Sequence, residues 1–232
     1  MDASTRRSMR VQKAGGIAAV YIAIAYLAAI PYFVFLVNYP RVVDPTQKVI
    51  LLKDNYASMY WMHVVSFEFV ALALIVVTFA IHQRLKELAP STAQFATVAG
   101  LIRAGLLLAS VMVFNYGMGV VVRLYATAPA QAVSAWQVIE PLASALGGSG
   151  GDLLGGLWFL LLSAAALRTK VLPSALSWLG VVIGGAGILT LVPGLSGLEA
   201  VFGLLQIVWF LWLGIVMVRS RPDSGRAAEW TR

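Results

Sequence analysis

Apolar residues run along this chain in long blocks and do not alternate with polar ones. Six blocks approach or exceed the roughly 20 residues that a helix needs to cross a hydrocarbon core of about 30 Å. They cover residues 14–37, 59–81, 95–122, 142–167, 174–192 and 199–218. Transmembrane strands would show alternating segments of about 10 residues, and these blocks do not alternate. The pattern predicts an all-α integral membrane protein with six transmembrane helices in one bundle. Residues 1–218 form its single domain and 219–232 a basic cytoplasmic tail. Pro31 is expected to kink the first span near its outer end. That first block is longer than the 7–15 apolar residues typical of a signal peptide, so it reads as an uncleaved span.

The longest polar connection runs from Asn38 to Ser58. Within it, Asp44, Pro45 and Gln47 supply an N-cap, a first-turn proline and a third-position amide, the signals of a helix start. They predict a short amphipathic helix, Pro45 to about Lys53, with Val49, Leu51 and Leu52 resting at the membrane interface. Tyr39, Tyr56, Tyr60 and Trp61 are expected to mark the outer aromatic belt.

Composition narrows the class. The chain is 60% hydrophobic and 12% charged, where a soluble domain is about 25% charged. So much apolar surface cannot be covered in a soluble globule of this size, which excludes a soluble enzyme, a disordered chain and a collagen-like fibre. The absence of cysteine excludes disulfides, thiolate nucleophiles and cysteine-ligated metal. The net charge of +7 does not point to nucleic acid, because the cations sit in loops and tails. Arg6, Arg7, Arg10, Lys13, Arg84, Lys86, Arg168, Lys170, Arg219, Arg221, Arg226 and Arg232 fall on one side; only Arg41, Lys48, Lys53 and Arg123 fall on the other. That asymmetry places both termini in the cytoplasm. His63 and His82 share the second span, so they cannot bridge a haem between two helices. Each is expected to be solvated or to cap a helix. No cofactor or metal is expected, and no nucleophile–base or metal-spaced motif supports an enzyme.

Charges inside a span cost about 2.5–3.5 kcal/mol each at mid-helix on insertion scales, so each needs a partner or a wet cavity. Glu68, Arg103 and Asp152 are the three. At 1.5 Å per residue, Glu68 and Arg103 lie about 13 and 18 Å below the outer surface, close enough for an ion pair. Asp152 lies about 8 Å below it, inside the fourth span, with Gln206 at a similar height and Glu199 one heptad earlier on the same face. Asp152, Gln206, Glu199 and Glu68 are thus expected to line a polar pocket open to the outside. Gly147, Gly151 and Gly155 share a face, as do Gly180 and Gly184. Such faces serve close packing within the monomer or a homo-oligomer seam.

The segments GSGGDLLGGLWFLLL, RTKVLPSALSWLGVVIGGAGIL and QIVWFLWLGIVMV resemble a bacterial membrane family catalogued as domain of unknown function 4386. In that family a glycine-rich fourth helix leads through a basic turn into a helix that opens like Leu172, Pro173, Leu176, Trp178, Leu179 and Gly180 here. Glu68 and Arg103 also resemble family positions, and Asp152 stands where the family often has Asn. A second acid often follows the family's arginine; Leu106 or Leu107 stands there instead. The resemblance implies six spans in a bacterial inner membrane and no established activity. The expected protein is non-enzymatic, its outward pocket binding a small molecule or its surface joining a larger membrane complex. The alternative is a small-solute or ion-coupled transporter using Glu68 and Arg103.

Overall fold

The computed structural model describes residues 3–148, 152–195 and 197–219, with side chains from Met9 onward. Helix accounts for 87% of the structure, with no strand among the described residues. The helices are α1 (Ala3–Pro31), α2 (Pro45–Asp54), α3 (Tyr56–His63), α4 (Phe69–Leu85), α5 (Pro90–Tyr125), α6 (Pro129–Gly147), α7 (Leu153–Thr169), α8 (Ser174–Leu189) and α9 (Leu198–Arg219). A π-helical turn, Tyr32–Leu36, continues α1, and another, Val64–Glu68, joins α3 to α4. Four stretches are long and apolar enough to cross a membrane: Met9–Leu36, Tyr56–Leu85, Pro90–Tyr125 and Leu198–Arg219. α7 and α8 are apolar but shorter, at 17 and 16 residues, or about 25 Å each. The predicted tail, beyond Arg219, lies outside the described residues, as does Gly151.

The fourth block departs from expectation. No single helix covers 142–167; α6 ends at Gly147 and α7 begins at Leu153. Gly148 follows α6 with φ +102°, the left-handed stop that favours glycine. Asp152 then caps α7, its Oδ1 accepting from the Gly155 amide at 2.8 Å. Each glycine or aspartate here acts on backbone groups that a continuous helix would have satisfied itself.

α5 is the spine. At 36 residues it is about 54 Å long, far more than a bilayer core. Its partners follow one another down its length. Gly117 lies under Ile139, the Ser110 hydroxyl donates to the Ala143 carbonyl at 2.7 Å, and Gly100 lies under Trp158. α6 and α7 are therefore two halves of one descending path along α5.

The C-terminal end of α5 makes a second core. Val49, Leu52, Met59, Met118, Val121, Ala132 and Trp136 pack together there. α2 forms as expected, with Asp44 Oδ1 accepting from the Gln47 amide at 2.8 Å. Its Val49 and Leu52 are fully buried against protein and do not rest at a lipid interface. The physical reason is that α5 and α6 rise high enough to cover them. Lys48 Nζ bonds Glu140 Oε1 at 2.6 Å, and the Tyr39 hydroxyl donates to the same oxygen at 2.9 Å. Burial, then the Glu140 charge, pushes the Tyr39 hydroxyl above its ordinary pKa. Glu140→Gln is expected to cost on the order of 1 kcal/mol, because the pair is partly solvated. Thermal unfolding of the purified variant checks this.

Glycines close the bundle elsewhere. α1 meets α9 closely, where a Cβ on Gly214 would lie 2.8 Å from the Gly16 carbonyl oxygen. α7 meets α8 as closely, since a Cβ on Gly156 would lie 2.8 Å from the Gly184 carbonyl oxygen. Gly180 and Gly184 thus both pack on α7, inside the chain. Gly147 and Gly155 belong to different helices and do not make one stripe: Gly147 faces Ser110, and Gly155 faces the Asp152 side chain.

Candidate functional site

Arg103 pairs with Asp152. Its Nη2 lies 2.5 Å from Asp152 Oδ2, with both side chains largely enclosed. Asp152 is held from three directions: Arg103 takes Oδ2, the Gly155 amide takes Oδ1, and the Asp152 amide donates to Thr190 Oγ1 at 3.3 Å. Thr190 in turn donates to the Gly187 carbonyl at 2.6 Å, which ties the C-terminal end of α8 to the start of α7. A charge-assisted bond and a helix cap on one carboxylate make this the best-anchored ionic group among the described spans.

The expected pairing of Glu68 with Arg103 does not form. Asn115 Nδ2 lies 3.5 Å from Glu68 Oε1, at the outer limit for a hydrogen bond. Asn115 stands twelve residues beyond Arg103 on α5, about 18 Å along its axis. The height estimate failed because α5 continues past the N-terminal end of α3. Tyr56, the first residue of α3, lies beside Gly119, six residues before the end of α5. Glu68 is half-buried on the π-helical turn. There the irregular backbone lets the Tyr21 hydroxyl donate to the Val65 carbonyl at 2.5 Å. Because Glu68 and Arg103 are so far apart, the effects of Glu68→Gln and Arg103→Gln on stability are expected to add within about 0.5 kcal/mol. A double-mutant cycle by thermal or denaturant unfolding checks it; strong coupling would restore the pairing.

Arg103, Asp152, Glu199 and Gln206 do converge, on a cavity of about 530 Å³. Thr190 joins them, and Glu68 is not among the lining residues. The rest of the wall is mostly apolar: Ala29, Ile30, Phe33 and Val34 from the first helix and the turn that continues it, Phe67, and the N-terminal half of α9 from Ala200 to Ile207. α1 and α9 touch backbone to backbone at Gly16 and Gly214, and the Gln12 amide reaches the Met217 carbonyl at 3.0 Å. Farther out both helices line the cavity, so it occupies the wedge where they part. Its size fits the range of small-molecule sites, with an apolar wall and a few convergent polar groups. Below it, Arg103 and Gln206 also line a space of about 20 Å³ above Trp158, Phe159 and Phe210, room for about one water. Arg103 Nη1 is buried with no hydrogen-bond partner among the described residues.

His63 is not solvated as expected. It is buried, 8% exposed, and stacks on Phe114 with ring centroids 4.2 Å apart. Phe33 and Phe67 close around it. Its Nδ1 lies 2.8 Å from the Met59 carbonyl. A carbonyl only accepts, so Nδ1 carries a proton and donates it to this bond. A second cavity of about 200 Å³, which shares Phe67, Leu107 and Gly147 with the first, is lined by His63, Ser110 and Ser144. The signal available was a histidine four residues from Phe67 with Phe33 and Phe114 on neighbouring spans, but a single sequence does not say which spans adjoin. His82 is partly buried, its Nδ1 2.8 Å from Thr97 Oγ1. Among the described residues no cluster of three or more His, Asp or Glu could hold a metal ion.

No family model matches the chain, and no curated protein or solved structure matches it either.

Proposed function

We propose that this chain is a six-span inner-membrane protein that binds an amphiphilic small molecule in the cavity between the outer halves of α1 and α9. The observation that carries the reading is the convergence of Arg103, Asp152, Glu199 and Gln206 at one end of an otherwise apolar space of about 530 Å³. A polar end and an apolar body are what such a wall complements. α7 and α8 supply two of the six spans in this reading, their short length made up by α6 and by the turn at Thr190. The Lys/Arg asymmetry supports cytoplasmic termini and an outward-facing cavity, and the sequence resemblance given above supports a bacterial membrane setting. Binding, alone or as part of a larger membrane complex, accounts for the site without a catalytic step.

Gly203 lines the cavity, and nothing lies within 4 Å of a Cβ placed on it. Gly203→Trp is expected to fill the cavity and leave the fold intact. Native mass spectrometry of gently extracted wild type is expected to show an amphiphile adduct that Gly203→Trp lacks, with helical circular dichroism unchanged. Equal adducts in both proteins would refute the reading. For access, Gly203→Cys is expected to react with an impermeant thiol reagent added outside intact cells. Leu162→Cys, at a fully buried position, is expected to stay unlabelled. Labelling of position 203 only from the cytoplasmic side would reverse the orientation.

A specific observation also favours transport: the break between α6 and α7 puts the N-terminus of a half-helix at the cavity. Transporters use such interrupted helices at their binding sites. Proton or solute uptake into proteoliposomes that Asp152→Asn abolishes would favour this reading over binding alone.

A further inference from the structure

We infer that the second cavity, of about 200 Å³, is a separate binding site for one uncharged, hydroxyl-bearing aromatic ring of phenol size. Three elements build it. Leu107, Ser110 and Phe114 come from α5, at the spacing that puts residues on one face of a helix. His63 ends α3, and Phe67 stands four residues on, in the π-helical turn that follows. Ser144 and Gly147 belong to the last turn of α6. Gly147 keeps room beside the Ser110 hydroxyl, since a Cβ on it would lie 2.9 Å from Ser110 Oγ.

Size and wall chemistry argue for a flat ring. A dry apolar cavity of roughly 150 Å³ takes benzene. The larger space here therefore holds one six-membered ring with a small substituent. Phe67 and Phe114 line it, and Phe33 packs edge-on against His63. Aromatic faces and edges receive another aromatic ring in offset or edge-to-face contact, which a puckered ring of the same size cannot match. Among the described residues no Asp, Glu, Lys or Arg lines this cavity, so nothing there would compensate a charged guest.

The polar atoms argue for a hydroxyl. His63 is buried, and among the described residues its one hydrogen bond joins Nδ1 to the Met59 carbonyl. Nε2 is the polar atom it has left for a guest. That nitrogen accepts in the uncharged imidazole and donates in the charged one. Ser110 gives its proton to the Ala143 carbonyl, which leaves its oxygen as an acceptor. The Ser144 hydroxyl can do both. A guest hydroxyl also donates and accepts, so it suits this set in either state of the ring. Phe67, Leu107 and Gly147 line both cavities, whereas Arg103, Asp152 and Gln206 line only the first. The two spaces share a wall and differ in chemistry, and the ring site does not depend on what the first cavity binds.

The test titrates phenol into full-length protein in nanodiscs, with isotope-labelled histidine read by nuclear magnetic resonance. The chain has two histidines. His82 bonds Thr97 Oγ1 and does not line this cavity, so it is the internal reference. Phenol is expected to shift the His63 nitrogen resonances saturably and to leave those of His82 in place. Benzene keeps the flat ring without the hydroxyl, and cyclohexanol keeps the hydroxyl without the flat ring. Each is expected to bind wild type at least fivefold more weakly than phenol. By calorimetry, with empty nanodiscs subtracted, His63→Phe is expected to bind benzene and phenol alike. Gly203→Trp, which fills the first cavity, is expected to bind phenol as wild type does. Equal affinity of wild type for benzene and phenol would overturn the hydroxyl, and equal affinity for cyclohexanol and phenol would overturn the aromatic ring. Loss of phenol binding in Gly203→Trp would overturn a separate site. Shifts that do not saturate, or that are equal at both histidines, would overturn the site altogether.

Discussion

Arg103→Gln is expected to destabilise the protein by on the order of 3–5 kcal/mol, the largest effect of any conservative change in it. The loss comes from the survivor. Asp152 is buried and 2.5 Å from the guanidinium, so without Arg103 its charge is left uncompensated in a medium of low dielectric. Asp152→Asn leaves the cation stranded instead, but it keeps a side-chain oxygen to cap α7 at the Gly155 amide. The double variant Arg103→Gln/Asp152→Asn removes both charges and is expected to be more stable than Arg103→Gln alone. Asp152→Ala loses the cap as well and is expected to fall about 1 kcal/mol below Asp152→Asn. Unfolding in mixed micelles, followed by circular dichroism, measures all four. A double variant whose loss equals the sum of the single losses would show that the two groups do not compensate each other.

Gly184→Ala is expected to cost about 2–3 kcal/mol, while its neighbour Gly185→Ala is neutral or slightly stabilising. A Cβ on Gly184 would lie 2.7 Å from Leu160 Cγ, 2.8 Å from the Gly156 carbonyl oxygen and 2.9 Å from the Leu160 amide nitrogen. Two of those three atoms are backbone, so no rotamer change relieves the clash and α7 must move away from α8. At Gly185 nothing lies within 4 Å, and only the gain in helix propensity remains. The pair makes an internal control, since both substitutions add one methyl to adjacent residues of α8. Because α7 carries Asp152 at its start, Gly184→Ala is also expected to weaken ligand binding by shifting the ion pair. Equal stability of the two variants would show that the α7–α8 contact is looser than its geometry implies.

The amino-acid sequence by itself determined the helical, apolar class of this protein and most of its helices. Blocks of about twenty apolar residues admit only helices in a membrane, because every backbone group must be satisfied within its own segment. The start of α2 was legible for the same local reason: Asp44 caps a helix whose first residue is Pro45. The stop and restart at Gly148 and Asp152 were also written locally, as a left-handed glycine and a capping aspartate. There the hydropathy of the block outweighed them, and Asp152 was placed inside a helix it actually begins. What only the tertiary structure decided was who meets whom. Spacing along one helix yields relative heights within that helix, but the axial offset between two helices depends on how far each projects. α5 projects past the start of α3, which carried Glu68 to Asn115 and left Arg103 to Asp152. The same projection buried Val49, Leu52 and His63 against protein. The cavity exists because α1 and α9 join at two glycines toward one end and part toward the other. That angle is a property of packed pairs, and no single helix encodes it.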